Sequence, residues 1–226
     1  MGTAIMAAGT DASAYANNYL PPVDGPLAWA NLESDLLPTA RRLKNFGSVG
    51  GTFSLSGAAQ LAAKGVTAVA GTDSRLTLGA FTPDAYTYIA LMDVGISAAL
   101  IRHRNIRIYT DENKKLLRIM DAGQSTSSIT APGTGAFVVF LSGDANGHEF
   151  GLLTTSGIQK STSTAANSGT TATWIGGNGP SGSGSAAAWA AYGAAFYGRK
   201  LSDSEMQRVA ERLIKRARYL GVTVNG

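Results

Sequence analysis

The chain has 226 residues, 44% of them hydrophobic and only 15% charged, with a net charge of +4 and no cysteine. That length and hydrophobic content suit one large globular domain, or a domain with an arm, and exclude an intrinsically disordered chain. The absence of cysteine excludes disulfides, thiolate zinc sites, iron–sulfur clusters and thiol catalysis. No run of 18 apolar residues exists to span a membrane, and the first twenty residues lack the basic n-region of a signal peptide. The basic residues gather in 41–44, 102–118 and 199–218, and two of these clusters alternate with apolar residues as solvated faces do. Nucleic acid is therefore not expected as a partner.

Residues 1–26 are small and polar and end in "LPPVDGP", where Pro21, Pro22 and Pro26 forbid a helix. Residues 1–45 are read as an N-terminal arm that orders on a partner surface, with a short helix on one side or the other of Pro38. Residues 46–226 are read as the folded domain.

From Gly47 the pattern becomes β. "GTFSLSG" puts Phe53 and Leu55 on one face, and "RLTLGAF" does the same for Leu76 and Leu78. "YTYIALMDVG" is apolar on both faces and reads as a central strand. In "IRHRNIRIYTDENKKLLRIM", Ile106, Ile108, Leu117 and Ile119 alternate with Arg107, Tyr109, Arg118 and Met120 around a polar turn. That is a hairpin with one buried and one wet face. Phe137 to Leu141 forms a core strand, "GDANG" a turn, and Phe150, Leu152 and Leu153 a returning strand. "ATWIGG" and "AAYGAAFYG" are the last two strands, the second with Tyr192, Ala194 and Phe196 on one face and Ala195 and Tyr197 on the other. Eight or nine short strands without helical periods between them predict an antiparallel sandwich or barrel.

The tail differs. Residues 202–220 read as an amphipathic helix, with Ser202 and Glu205 as a capping box and Gly221 as the terminating residue. Met206, Val209, Ala210, Leu213, Ala217 and Leu220 share its apolar face, with Arg216 among the residues of the wet one.

Taken together, Ile175, Gly176 and Gly177, followed by Phe196, Tyr197, Arg199, Leu201, Ser202 and Glu205, resemble the end of concanavalin A-like, laminin G-like jelly-roll domains. The resemblance covers residues 45–220 and implies an all-β jelly-roll sandwich. The acidic residue usual in that family's penultimate strand is missing from "AAYGAAFYG", so its role near a calcium or sugar site is not carried over. Low charge and a leading arm are also similar to surface-displayed modules of bacteriophage virions. The partners this implies are other virion proteins or identical subunits, reached through the arm, and cell-surface glycans. The location it implies is the virion or another extracellular surface.

A literal G-x-G-x-x-G stands at Gly177, Gly179 and Gly182, but Pro180 interrupts it and a strand follows where a dinucleotide site needs a helix. It reads as a loop between the last two strands. The two histidines, His103 and His148, read as ordinary hydrogen-bonded residues. No strand carries the E-x-D-x-E carboxylates that glycosidases of this sandwich class use, so a non-catalytic chain is expected. Asp144, Asn146 and Glu149, with Asp121, would suit calcium; the preferred reading makes them turn formers, and no cofactor is expected. As ligand-binding residues the sequence offers Trp189 and Tyr192, for stacking on a sugar, and Asp144 and Asn146. Trp174 is read as a core residue. A free carbohydrate-binding module is the alternative to a virion structural role, and a degenerate glycosidase the third reading.

Overall fold

A computed structural model describes residues 20–120, 123–165, 167, 169, 173–177 and 187–225. The expected arm over 1–19, Asp121 and most of the Gly-rich loop, including Gly179, Pro180 and Gly182, lie outside the described residues.

Two antiparallel sheets pack face to face as a jelly-roll-type sandwich. The first sheet joins β13 (Gly157–Ser163), β12 (Gly147–Thr154), β11 (Phe137–Asp144), β6 (Tyr86–Val94), β15 (Trp189–Tyr197), β4 (Val66–Ala68) and β3 (Gln60–Leu61), in that order. β1 (Pro26–Ala30) pairs with the far half of β15. The second sheet joins β10 (Gly123–Thr130), β9 (Lys115–Met120), β8 (Ile106–Thr110), β7 (Ala99–His103), β14 (Thr173–Gly176), β5 (Arg75–Gly79) and β2 (Ser54–Ser56). A single turn of helix, α1 (Thr39–Arg42), follows Pro38, and the long helix α2 (Asp203–Tyr219) lies over the outer side of the first sheet.

The core has two layers because the first sheet is covered twice. Along β6, Tyr86, Tyr88, Ala90, Met92 and Val94 face the second sheet, while Ile89 and Leu91 face α2. β11 repeats this, with Phe137, Val139 and Leu141 inward and Val138 and Phe140 under the helix. Strands buried on both faces need apolar side chains at every position, hence the unbroken apolar runs. α2 has the expected capping box: Ser202 Oγ accepts from the Glu205 amide, and Glu205 accepts from the Ser202 amide. Gly221, at φ +71, ends it.

Four expectations are corrected. First, residues 26–45 are not an arm. Trp29 is wholly buried under α2, and Asn45 satisfies four backbone groups, accepting from the amides of Trp29 and Gly47 and donating to the carbonyls of Leu27 and Gly50. Arg42 is buried as well, its guanidinium donating to the carbonyls of Glu33, Ala62 and Gly65. Second, Arg216 is not on a wet face. It forms an ion pair with Glu33 at 2.6 Å, with both side chains under a tenth exposed. Third, β9 has the opposite phase. Arg118 pairs with inward Ile108, while Leu117 and Ile119 lie outward beside Tyr109 and Arg107.

Fourth, a β-bulge between Ala191 and Gly193 shifts the register of β15 against β6. Trp189, Ala191, Ala194 and Phe196 face inward, while Tyr192, Ala195 and Tyr197 face the helix. Tyr192 is thereby separated from Ala194 and Phe196. At the bulge a Cβ on Gly193 would stand 2.9 Å from Leu213 Cδ2, so the glycine lets α2 settle onto the strand.

Candidate functional site

The four residues offered as ligand-binding do not converge. Trp189 opens β15 opposite Val94 and Ala68, and it is 3% exposed within the inter-sheet core. It cannot stack on a sugar without unfolding, because Gly176 packs so closely that a Cβ there would lie 2.4 Å from the indole nitrogen. Tyr192 sits on the other face of β15, packed at the edge of the helix layer.

Asp144 and Asn146 do lie together, at the opposite end of the sheet, in the turn joining β11 and β12. Asp144 Oδ1 accepts from the Asn146 amide at 2.8 Å, the self-bonded turn that Asp favours for backbone reasons. Its other oxygen is 3.7 Å from Lys200 Nζ. Glu149 is paired with Lys160 at 3.3 Å, and Lys160 also bonds both oxygens of Asp203. Ammonium groups therefore stand where calcium would need the carboxylates to itself. Among the described residues no three acidic or histidine side chains cluster as metal ligands.

Around this turn is an open groove of about 550 Å³, lined by Asp144, Asn146, His148, Glu149, Thr162 and Lys200, with Gly147, Ser163 and Thr164 completing it. β12 and β13 supply one wall through the register His148↔Ser163 and Glu149↔Thr162. Lys200 arrives from the segment linking β15 to α2. The groove thus gathers hydroxyl, carboxylate, amide and ammonium groups from three parts of the chain.

His148 is the unusual member. It is 4% exposed, and its Nδ1–H donates to the Ala165 carbonyl at 2.7 Å. That bond leaves Nε2 as a lone-pair acceptor, and this nitrogen has no partner among the described residues. Burial holds the ring's pKa below the usual histidine value, so the neutral form persists at physiological pH. A buried acceptor without a donor is costly unless something completes it.

His103 is buried deeper, between Tyr86 and Phe196, with Nδ1 2.8 Å from Thr173 Oγ1. Desolvation lowers its pKa to about 3. The Tyr86 hydroxyl lies against the Asn167 side chain, and His103 Nε2 is a further buried atom with no hydrogen-bond partner among the described residues. This end of the sandwich, near Asn167 and Thr173, is more polar inside than the rest of the core.

Sequence reasoning found Asp144 and Asn146 from their turn chemistry. It missed Thr162 and Lys200, which are remote in sequence and belong to no pattern. It also missed the second sheet's outer face. There Trp174 is 6% exposed, as a core residue would be, yet it faces outward and is covered by Arg75 and Arg102, each guanidinium 4.5 Å from the ring centroid.

No family model matches the chain, and no curated protein matches it in sequence. Solved structures do match in fold. A Trypanosoma rangeli sialidase mutant displaying trans-sialidase activity aligns at a TM-score of 0.59 and 13% identity, over 86% of this chain and 34% of its own. The binding domain of botulinum neurotoxin DC in complex with SialylT aligns at 0.59 and 9% identity, over 84% of this chain and 52% of its own. The botulinum neurotoxin serotype C1 binding domain aligns at 0.56 and 10%. At these identities the likeness is one of fold: a lectin-like β-sandwich. The chain spans about a third of the length of these sialidases and half that of the toxin domains.

The expectation of a non-catalytic chain is overturned by the same comparison. Sialidases stand among the similar structures, which is a weak pointer toward an enzyme at 11–13% identity. A missing E-x-D-x-E strand excludes one glycosidase design and leaves others standing.

Proposed function

We propose that the chain is a glycan-binding β-sandwich module, with its sugar site in the groove at the β11–β12 turn. The observation that carries this is the groove itself: about 550 Å³, within the range of small-ligand sites, and lined by Asp144, Asn146, Glu149, Thr162 and Lys200. Asn146 and Thr162 supply groups that both donate and accept, as sugar hydroxyls require, and Lys200 supplies a donor. The fold it shares with a toxin binding domain in complex with SialylT supports a carbohydrate ligand.

A glycan array followed by NMR titration tests the proposal. Bound glycan is expected to move resonances of residues 144–149 and 162–164, and the pair Asn146→Ala and Thr162→Val is expected to weaken binding about tenfold or more. A blank array, or binding indifferent to both substitutions, overturns it. Release of free sugar during the titration would make the same groove a site of turnover.

The finer part of the proposal is display on a virion surface, with residues before β1 meeting identical subunits or other virion proteins. The low charge of the chain, 15%, supports packing into an assembly. Since residues 26–45 belong to the sandwich, the informative truncation removes only residues 1–19. It should leave a folded sandwich that no longer assembles, and retained assembly sinks this part.

A further inference from the structure

The β11–β12 turn joins a glycine the fold requires to an asparagine it does not. Gly147 opens β12 at φ +137, and a Cβ there would lie 2.2 Å from the Ser163 carbonyl oxygen on β13. No other residue fits that close approach. Asn146, just before it, is exposed, and it is not among the residues with a left-handed backbone. Its service to the turn is its backbone amide, which donates to Asp144 Oδ1. Any residue but proline supplies that donor. Its side-chain amide makes no hydrogen bond among the described residues.

An untethered carboxamide therefore stands next to a backbone nitrogen that has no side chain to screen it. Two groups held on adjacent residues react as partners already brought together. The other described asparagine that precedes a glycine gives the contrast. Asn225 is half-buried, its Nδ2 donates to the Thr134 carbonyl, and its backbone amide donates to the Ala136 carbonyl. Asn178, before Gly179, lies outside the described residues.

We infer that Asn146 is a site of spontaneous covalent modification, deamidation through a succinimide. The Gly147 nitrogen attacks the Asn146 side-chain carbonyl carbon and a C–N bond forms. The side-chain nitrogen leaves as ammonia, taking up the proton that Gly147 gives up. Water then opens the ring at one carbonyl or the other, leaving isoaspartate or aspartate. One water enters, one ammonia departs, and nothing is oxidised or reduced. The product adds a carboxylate to a groove that Asp144 and Glu149 already line. Isoaspartate also lengthens the main chain inside the turn that closes on the pair Asp144↔Gly147. The charge of the groove thus changes in one direction only, with the age of the molecule. The reaction needs no ligand, so it stands apart from the glycan-binding reading.

The test ages the full chain in warm, mildly alkaline buffer, beside a free peptide of residues 142–150. Ion-exchange chromatography follows acidic forms, and peptide mapping with isoaspartyl methyltransferase labelling locates them. Residue 146 should convert several-fold faster than Asn225, with isoaspartate among its products. Asn146→Gln, whose longer side chain must close a larger ring, should leave its peptide unchanged. An intact Asn146 in the folded chain after the free peptide has converted overturns the inference, as does an Asn225 that converts equally fast. A glycan array on fresh and aged chain keeps the two readings separate. Conversion at Asn146 with glycan binding unaltered supports this inference and counts against the groove as the sugar site. An unconverted Asn146 with bound glycan moving residues 144–149 overturns this inference alone.

Discussion

The two sheets share one core but differ on their outer sides. The first is covered by α2, and its central strands β6, β11 and β15 are buried almost residue by residue. The second is open to solvent, and β5 and β8 alternate between Leu or Ile pointing inward and Arg, Thr or Tyr pointing outward. The covered sheet carries stability. The open sheet has arginines instead of a helix over its outer side: Arg75 and Arg102 lie on Trp174, and Arg102 stands opposite Arg107.

The comparison breaks most visibly on the covered side. Glu33→Ala strands Arg216 as a buried charge beneath α2, and equilibrium denaturation should show a loss of about 3–5 kcal/mol. Replacing both residues by apolar ones of similar size should restore most of it; an additive double loss would show the pair to be unimportant as a pair.

Next in size is a pH effect seated between the sheets. His103 is held neutral down to about pH 3, whereas an unfolded histidine takes up its proton near 6.5. Above 6.5 both states are neutral and the residue is silent. Below it the unfolded chain gains a proton that the folded chain refuses, so stability falls as pH drops from 6.5 toward 3. At pH 5 the loss is about 2 kcal/mol. Denaturation midpoints followed across this range should decline less steeply in His103→Phe, with His148 supplying part of the remaining slope. An unchanged slope would mean His103 is hydrated in the folded state.

The smallest effect is expected on the open side, with the opposite sign. Arg107→Gln relieves the facing guanidiniums and should raise stability by about 0.2–1 kcal/mol in low salt, and by less in high salt. A measurable loss instead would mean Arg107 has a structural partner.

Much of the architecture was legible because it rests on local rules. Strand period, turn residues and the Ser202–Glu205 cap identified the sandwich, its hairpins and its helix. What stayed hidden depends on residues far apart in sequence. β10 and β13, rich in Ser and Thr, are strands because their neighbours present free edges, and nothing in "GQSTSSIT" or "GIQKSTS" announces it. The bulge at Ala191–Gly193 inverted the reading of Tyr192, since one extra residue shifts a period of two. Arg216 looked wet because its partner Glu33 lies far away in the chain. The site was half legible: Asp144 and Asn146 share a local turn, while Lys200 and Thr162 join them only in three dimensions.

β15 sits at the centre of the first sheet, between β6 on one side and β1 and β4 on the other. It is the last of the sheet's strands in chain order. Until it emerges, β6 presents an uncovered apolar edge and β1 has no strand to pair with, so a nascent chain halted before Trp189 holds no completed version of this sheet. Folding of this domain is therefore expected to be late and slow during synthesis, with the closing contacts arriving together once β15 and α2 are available.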